Sequence, residues 1–342
     1  MSSADSRPAG RATLSDVALL AGVTPGTASK ALNGRGRLRP ETRQRVRDAA
    51  EQLDFHPNPL AQGLLAGRSW TVGLVTTDSI GRFSIPVLLG AEDALGAGQI
   101  SVLLCDTRGD AIRERHYLRT LLARRIDGII VTGRRIDPRP PLPASLPIPV
   151  VYAFGPSSAP GDISVVSDEE HGVRLAIEHL LHSGRSRIAH VAGPAHHAAA
   201  RERAAHTESV LAESGLTLAT GRSLHGDWSE AWGRQAAQLV LRSSPDCDAF
   251  FCGNDQIARG VADALRESGV RVPQDIAVVG YDNWDVMALA SRPPLTTVDM
   301  DLTELGRTAA LRLMEAIDGH PRPGVHRVPC RLMVRESTGP AG

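Results

Sequence analysis

The sequence predicts a small all-α helix-turn-helix head with a hinge helix, joined to an α/β core of two doubly wound parallel-sheet subdomains. Three observations predict it. Two short apolar-periodic stretches flank Gly22 near the N-terminus. From Trp70 onward, apolar strand-like runs alternate with amphipathic helices, which implies βαβ units. The charge also divides: up to Arg68 there are ten Lys/Arg against six Asp/Glu, in a chain of formal net charge zero. A basic head thus precedes an acidic body, and only the head suits a polyanion.

Leu14, Val17, Ala18 and Ala21 recur at helical spacing behind Thr13, a suitable N-cap, and read as one short helix. Gly22-Val23 breaks it. Thr24 then caps a second helix with Pro25 in its first position, ending near Leu32 before Asn33-Gly34. A third helix is expected from about Pro40 to Leu53, with Val46, Ala50 and Leu53 on one face and arginines on the other. His56-Pro57-Asn58-Pro59 must be extended or turned, whereas Leu60 to Ala66 consists of good helix formers bounded by Gly67. One or two turns of helix are marginal in water, so this segment is expected to order only against a partner.

The helix pair and its glycine-containing turn have the helix-turn-helix arrangement, whose second helix lies in the major groove of DNA. On that helix Thr27, Ser29, Lys30 and Asn33 face outward, and Ala28 and Leu32 inward. Periodicity alone is met equally by a helical hairpin that merely packs. The six arginines from Arg35 to Arg47, opposed only by Glu41, are met equally by a solvated face.

In the body, strands are expected over Val72 to Val75, Val102 to Cys105, Gly128 to Val131, Val150 to Ala153, Ile188 to Ala192, Ala249 to Phe251 and Ile276 to Tyr281. Helices are expected over Pro86 to Leu95, Arg113 to Arg124, Gly172 to Leu181, Arg201 to Glu213, Ser229 to Leu241 and Gln256 to Ser268. Two sheets suit this many units better than one very long sheet, with the seam near Ser167. The proline-rich Asp137 to Pro149 reads as a stiff surface connection. Doubly wound sheets bind ligands outside their strand C-termini, where Asn254 and Asp282 fall.

A hydrophobic fraction of 42% and a charged fraction of 22% exclude a disordered or fibrous chain. Cys105, Cys247, Cys252 and Cys330 are scattered without CxxC spacing, so reduced buried thiols and a cytoplasmic location are expected. Met1 to Gly10 is polar, and no window approaches the roughly 18 apolar residues of a membrane span, which disfavours export and insertion. No GxSxG, GxxxxGK[ST], HExxH or CxxC occurs, so no enzyme, cofactor or metal site is expected. His196-His197 do not share a helix face and read as a flexible surface loop after Gly193-Pro194 rather than as metal ligands. Asp299 and Asp301 would face one way on a strand, and a solvated strand end is favoured over a catalytic couple.

Thr13-Leu14-Ser15-Asp16-Val17-Ala18, Ala21-Gly22-Val23-Thr24 and Thr27 to Asn33 closely resemble the head of the lactose-repressor (LacI/GalR) family. The pattern continues through Glu41-Thr42-Arg43, Leu53-Asp54-Phe55, Pro57-Asn58 and Ala61-Gln62-Gly63-Leu64, which correspond to the family's third helix and hinge helix. The resemblance implies a DNA contact set of Thr13, Thr24, Thr27, Ser29, Lys30, Asn33, Asn58, Ala61 and Leu64. It implies that paired hinge helices enter the minor groove, where Leu64 wedges a base step and trades unstacking for a bent duplex with more contacts. Two departures bear on specificity. Pro25 and Gly26 stand where base-reading side chains begin, so Lys30 is expected to carry more of the readout, to guanine O6/N7. Arg39 replaces the usual polar cap before the third helix, which implies a looser helix start.

The body, from about Trp70 to Thr338, resembles the family's effector core, which is similar to type I periplasmic binding proteins. Arg125-Ile126-Asp127-Gly128, Ser183-Gly184-Arg185, Ile188 to Pro194, Gly253-Asn254-Asp255, Val279-Gly280-Tyr281-Asp282 and Pro294-Leu295-Thr296-Thr297 carry that resemblance. It implies an effector site built from Phe83, Ser84, Arg203, Trp228, Asn254 and Asp282, of the kind that grips hydroxyl pairs and stacks a sugar ring. Arg203 is followed by Ala204-Ala205-His206 rather than by glycine, and Phe154 and Met300 fall where polar contacts occur in some relatives. A more apolar pocket follows, suited to an aryl or modified sugar or to a non-sugar metabolite.

The expected division is a disordered 1–11, a DNA-binding domain 12–54, a hinge 55–68, a first effector subdomain 69–167 and 299–330, and a second 168–298 and 331–342. The resemblance implies a cytoplasmic homodimeric repressor that binds double-stranded operator DNA under small-molecule control. No heptad repeat follows Val334, so a zipper-like tetramerisation element is not expected. A transport-associated binding protein, the rival class, would carry an export signal and no DNA-binding head.

Overall fold

A computed structural model describes residues 12–32, 36–55, 68–96 and 100–339. The chain divides into two compact units, 1–70 and 71–342.

In the first unit, α1 (Leu14–Leu20), α2 (Pro25–Leu32) and α3 (Pro40–Gln52) share one core of Val17, Ala18, Ala21, Ala28, Ala31, Val46, Ala49 and Ala50. The small side chains let three short helices approach closely. Thr13 and Asp16 close a reciprocal capping box on α1: Asp16 N donates to Thr13 Oγ1 at 3.3 Å and Thr13 N to the Asp16 carboxylate at 2.8 Å. Gly22, at φ +65°, ends α1, and Val23 N donates back to Ala18 O at 2.9 Å. On α2 the fully buried inward residues are Ala28 and Ala31, with Leu32 half-buried at the margin of the core, because the helix phase turns the smaller side chain inward. Arg39 makes no side-chain bond to α3, which begins directly on Pro40.

The second unit contains two six-stranded sheets. The first runs β2 (Ser101–Asp106), β1 (Thr71–Thr76), β3 (Gly128–Val131), β4 (Val150–Ala153), β5 (Ile163–Ser167) and β11 (Gly324–Val328), all parallel. The second runs β7 (Leu224–His225), β6 (Ile188–Ala192), β8 (Ala249–Cys252), β9 (Ala277–Tyr281), β10 (Thr296–Asp299) and β12 (Arg331–Met333), with β12 alone antiparallel. Helices α4 (Ser84–Ala94), α5 (Ala111–Ala123) and α11 (Leu302–Ile317) belong to the first sheet. Helices α6 (Glu169–His182), α7 (Ala198–Glu213), α8 (Glu230–Ser243), α9 (Asp255–Glu267) and the short α10 (Asp285–Ala288) belong to the second. The chain crosses between the sheets after β5, after β10 and before β12.

Both halves pack one helix pair through reciprocal glycines. A Cβ on Gly90 of α4 would lie 1.8 Å from Thr303 O, and one on Gly306 of α11 would lie 2.1 Å from Val87 O. Gly233 of α8 and Gly260 of α9 stand in the same relation to Ile257 O and Glu230 O. Each pair therefore meets backbone to backbone, which only glycine permits.

Several sequence expectations change. Residues 137–149 are anchored rather than draped: Leu142 is buried and its N–H donates to Tyr152 Oη at 2.7 Å. Asp299 and Asp301 do not share a strand. Asp299 ends β10, while Asp301 takes a left-handed conformation at φ +49°, caps α11 and pairs with Arg331. The sequence expectations do not include strands β5, β7, β11 and β12 or helices α10 and α11, and of β10 they include only the strand end at Asp299. All four cysteines are free thiols. Among the described residues no helix is long and apolar enough to cross a membrane.

Candidate functional site

The head presents α2 with Pro25, Gly26 and Lys30 exposed and with Thr27 and Ser29 half-buried. Thr24 Oγ1 accepts from Thr27 N at 3.2 Å and lies 2.9 Å from Thr27 Oγ1. The Thr13 and Thr24 hydroxyls therefore act as helix caps within the head, and Lys30 is the cation that α2 offers to solvent. Asn33, Asn58, Ala61 and Leu64 lie outside the described residues.

In the second unit the loops after β1, β3 and β4 face those at the start of α7 and after β8 and β9 across a cleft of about 350 Å³. Strand order reverses beside β1 and β6, and side chains at such switch points open onto a crevice at the strand C-termini.

A buried chain of alternating charge crosses the cleft. Arg203, 3% exposed, donates from Nε to Glu169 Oε2 at 2.7 Å and from Nη1 to Gly253 O at 2.6 Å, and Nη1 lies 3.5 Å from Asp282 Oδ1. Its guanidinium stands 3.5 Å over the Tyr281 ring. Burial opposes the charge on Arg203, but Glu169, Tyr281 and Asp282 outweigh it and hold the group protonated. Asp282 also pairs with Arg82 from the opposite subdomain, and Arg82 lies between the Trp284 ring at 4.1 Å and the Phe83 ring at 4.8 Å. Burial raises the Asp282 carboxyl against the pull of Arg82 and Arg203. Beneath it, Asp255 accepts from Trp284 N at 2.7 Å and meets Thr297 Oγ1 at 2.6 Å; burial and then Asp282 push its pKa up to about 8.

The aromatic walls are seated by their neighbours. Phe83 stacks on Phe154 with centroids 4.8 Å apart. Trp228 lies over Gly193, where a Cβ would fall 2.2 Å from the ring, and donates from Nε1 to His197 Nδ1 at 2.8 Å. Burial, then Arg135, hold the His197 imidazole below its ordinary pKa. Asn254 lines the cleft while its Oδ1 caps α9 through Ile257 N at 2.9 Å. A second bridge joins the subdomains where Asp137 Oδ1 accepts from Ala198 N at 3.0 Å.

Phe83, Arg203, Trp228, Asn254 and Asp282 thus come together, whereas Ser84 does not join them. Ser84 is buried in the first turn of α4, and its N–H and hydroxyl both donate to Asp78. Met300 is buried behind Arg203, 3.8 Å from Nη2, and only Phe154 of that pair lines the cleft. His197 corrects the expectation of a flexible loop: it is buried, precedes α7 and is fixed by Trp228. Sequence reading also missed Arg82, Arg134, Arg135, Asp137, Glu169 and Trp284. A signal existed for Arg134 and Arg135, which follow an anticipated strand at its C-terminal end.

Residues 13–58 match the family described as bacterial regulatory proteins, lacI family, and residues 177–338 match the periplasmic binding protein-like domain. The chain is 33% identical over 311 residues to the HTH-type transcriptional repressor PurR of Aliivibrio fischeri, covering 90% of this chain and 92% of the relative. It is 31% identical over 331 residues to PurR of Photobacterium profundum, covering 95% and 98%. Among solved structures, the lac repressor dimer bound to operator and the anti-inducer ONPF superposes with a TM-score of 0.75 at 29% identity, covering 97% of this chain and all of that one. The transcriptional regulator CelR in complex with cellobiose gives 0.64 at 31% identity, covering 96% and all of that chain. These relatives are regulators and not enzymes, and so is this chain. It belongs to the lacI family of bacterial regulatory proteins and is a DNA-binding transcriptional repressor.

Proposed function

We propose that two copies of this chain hold an operator, and that a small ring-shaped metabolite in the cleft sets their affinity for it. In this reading 12–54 read DNA, 55–68 form the hinge, 69–167 with 299–330 and 168–298 with 331–342 are the two effector subdomains, and the protein works in the cytoplasm. Thr13, Thr24, Thr27, Ser29 and Lys30 contact DNA, with Asn33, Asn58, Ala61 and Leu64 completing the set. A single small head makes too few contacts for specific binding at physiological salt, hence two copies on paired half-sites. The lac repressor solved as a dimer on its operator supports this.

The observation that carries the effector reading is that Phe83, Phe154 and Arg82 from one subdomain face Trp228, Arg203 and Asp282 from the other across one cleft. A ligand gripped from both sides favours one closure angle over another, which is what coupling to DNA requires. A modified sugar is the first reading, supported by the CelR complex with cellobiose. A flat nitrogen heterocycle such as a purine is the second, favoured by the stacked Phe83 and Phe154 rings and by relatives named PurR. Operator binding by fluorescence anisotropy, with and without sugars and purine bases, tests both. A coupled ligand shifts affinity by a factor corresponding to about 1–3 kcal/mol, and Trp228→Ala abolishes the shift. Equal operator affinity at saturating ligand rejects control by that ligand.

A further inference from the structure

The hydrogen-bonding capacity of the cleft is unevenly used. Most of its acceptors are taken by the protein itself. Asp282 receives Arg82 and Arg203, Asp78 receives the Phe83 and Ser84 amides, Asn254 Oδ1 receives Ile257 N–H, and His197 Nδ1 receives Trp228 Nε1–H. What remains is mostly donors. An imidazole that accepts at Nδ1 while neutral carries its proton on Nε2, and Asn254 keeps both amide protons. Arg134 and Arg135, exposed at the cleft beyond β3, form no ion pair among the described residues. The buried chain Glu169, Arg203, Asp282 and Arg82 alternates in sign and cancels. The Asp78 carboxylate is buried and tied to the amides of Gly81, Phe83 and Ser84, so the side-chain charges of the cleft that face solvent without an ion pair are Arg134 and Arg135, beside the free Oδ2 of Asp137.

We infer that the effector is an acid, a ring-bearing metabolite whose carboxylate or phosphate sits among Arg134, Arg135 and His197 while its ring lies on the Phe83 and Phe154 wall. Guanidiniums pair with carboxylate and phosphate in two parallel charge-assisted bonds, and two adjacent cations at a cleft draw anions toward it. The inference rests on the cleft being the effector site, and it narrows the class to sugar acids, sugar phosphates and nucleotides.

Calorimetric titration of the full-length protein tests it with matched probes: glucose against glucose 6-phosphate and glucuronate, inosine against inosine monophosphate, and inorganic phosphate alone. The expected result is an acid that binds roughly tenfold or more tightly than its neutral partner, the scale of one charge-assisted contact. Which acid wins separates carboxylate from phosphate. Arg134→Ala with Arg135→Ala removes the advantage, and the double lysine variant restores part of it. A neutral probe that binds as tightly as its acid overturns the inference and leaves the cleft reading standing. So does an acid whose advantage survives the double alanine variant. Binding by none of the acids, phosphate included, also overturns it. Ligand binding unchanged by Trp228→Ala instead rejects the cleft as the site.

Discussion

Arg82 and Asp282 come from opposite subdomains and join across the cleft, with the Arg82 guanidinium stacked on Trp284 and the Asp282 carboxylate shared with Arg203. Their side chains are 14% and 7% exposed, so the pair is screened little by water. Breaking a buried pair leaves one charge uncompensated and typically costs about 3–5 kcal/mol, whereas exposed pairs contribute about 1 kcal/mol or less. Arg82→Met, which keeps the stem, is therefore expected to lower stability by about 2–4 kcal/mol, read as a lower urea midpoint. A loss within the exposed-pair range would mean that the contact does not hold the subdomains together.

The reciprocal glycines give a packing prediction with an internal control. A Cβ at Gly306 would overlap Val87 O, and backbone cannot swing aside as a side chain does. Gly306→Ala should force α4 and α11 apart and destabilise by about 1–3 kcal/mol or more. Gly161 has open space around its Cβ position and no positive φ, so Gly161→Ala should stay within about 0.5 kcal/mol of wild type. Thermal melts of both variants check the contrast. Equal melting temperatures would contradict the close approach.

These relationships explain what the sequence discloses. Gly128–Val131, Val150–Ala153 and Ile188–Ala192 were legible to the residue, because short, predominantly apolar runs between turn signals are too short for buried helices in a chain that alternates strands with amphipathic helices. Arg203, Trp228, Asn254 and Asp282 were legible through family resemblance. Arg82 was not, because its role depends on Asp282, 200 residues away. Ser84 packs rather than lining the cleft, because the first turn of α4 directs it to Asp78, a choice that the sequence leaves open. His197 follows a Gly-Pro pair that suggests mobility, and only the Trp228 indole shows why the loop is fixed.

His190 predicts an acid sensitivity. Fully buried against Phe251 and bonded to Ser223 Oγ at 2.8 Å, it has its pKa lowered to about 3 by burial, then by His225 and Arg203. The unfolded chain takes up this proton near pH 6.5 and the native state only near pH 3, so the His190 contribution is without penalty above about pH 6.5 and costs stability as pH falls through that window. The full loss is on the order of 3–5 kcal/mol. Asp255 acts with the opposite sign: its raised pKa makes stability fall as pH rises from 3.8 toward about 8. Denaturation at a series of pH values, for wild type and His190→Phe, separates the two. The variant should show a shallower acid limb, since lowered carboxylates such as Asp275 keep their share of it, and should keep the Asp255 slope. An acid limb of equal depth in the variant would assign it to another group.

Lys30 gives the sharpest test of the head. Pro25 and Gly26 supply no hydrogen-bonding side chain, and Thr24 and Thr13 already use their hydroxyls as caps. Thr24→Ala should therefore cost about 1 kcal/mol of head stability through the lost cap, with sequence preference unchanged. Lys30→Ala should leave the fold intact, since its ammonium lies outside the Ala28 and Ala31 core. If Lys30 reads a guanine edge, the variant loses about 1–3 kcal/mol for the operator and tolerates other bases at one position, while its nonspecific affinity is unchanged. If it contacts only phosphate, binding weakens on every sequence and the slope of log K against log salt falls by about one. Because α2 begins with Pro25-Gly26, the first result is expected. Anisotropy titrations over a salt series, on the operator and on a single-base variant of it, distinguish the two, and uniform weakening would reject Lys30 as a base reader.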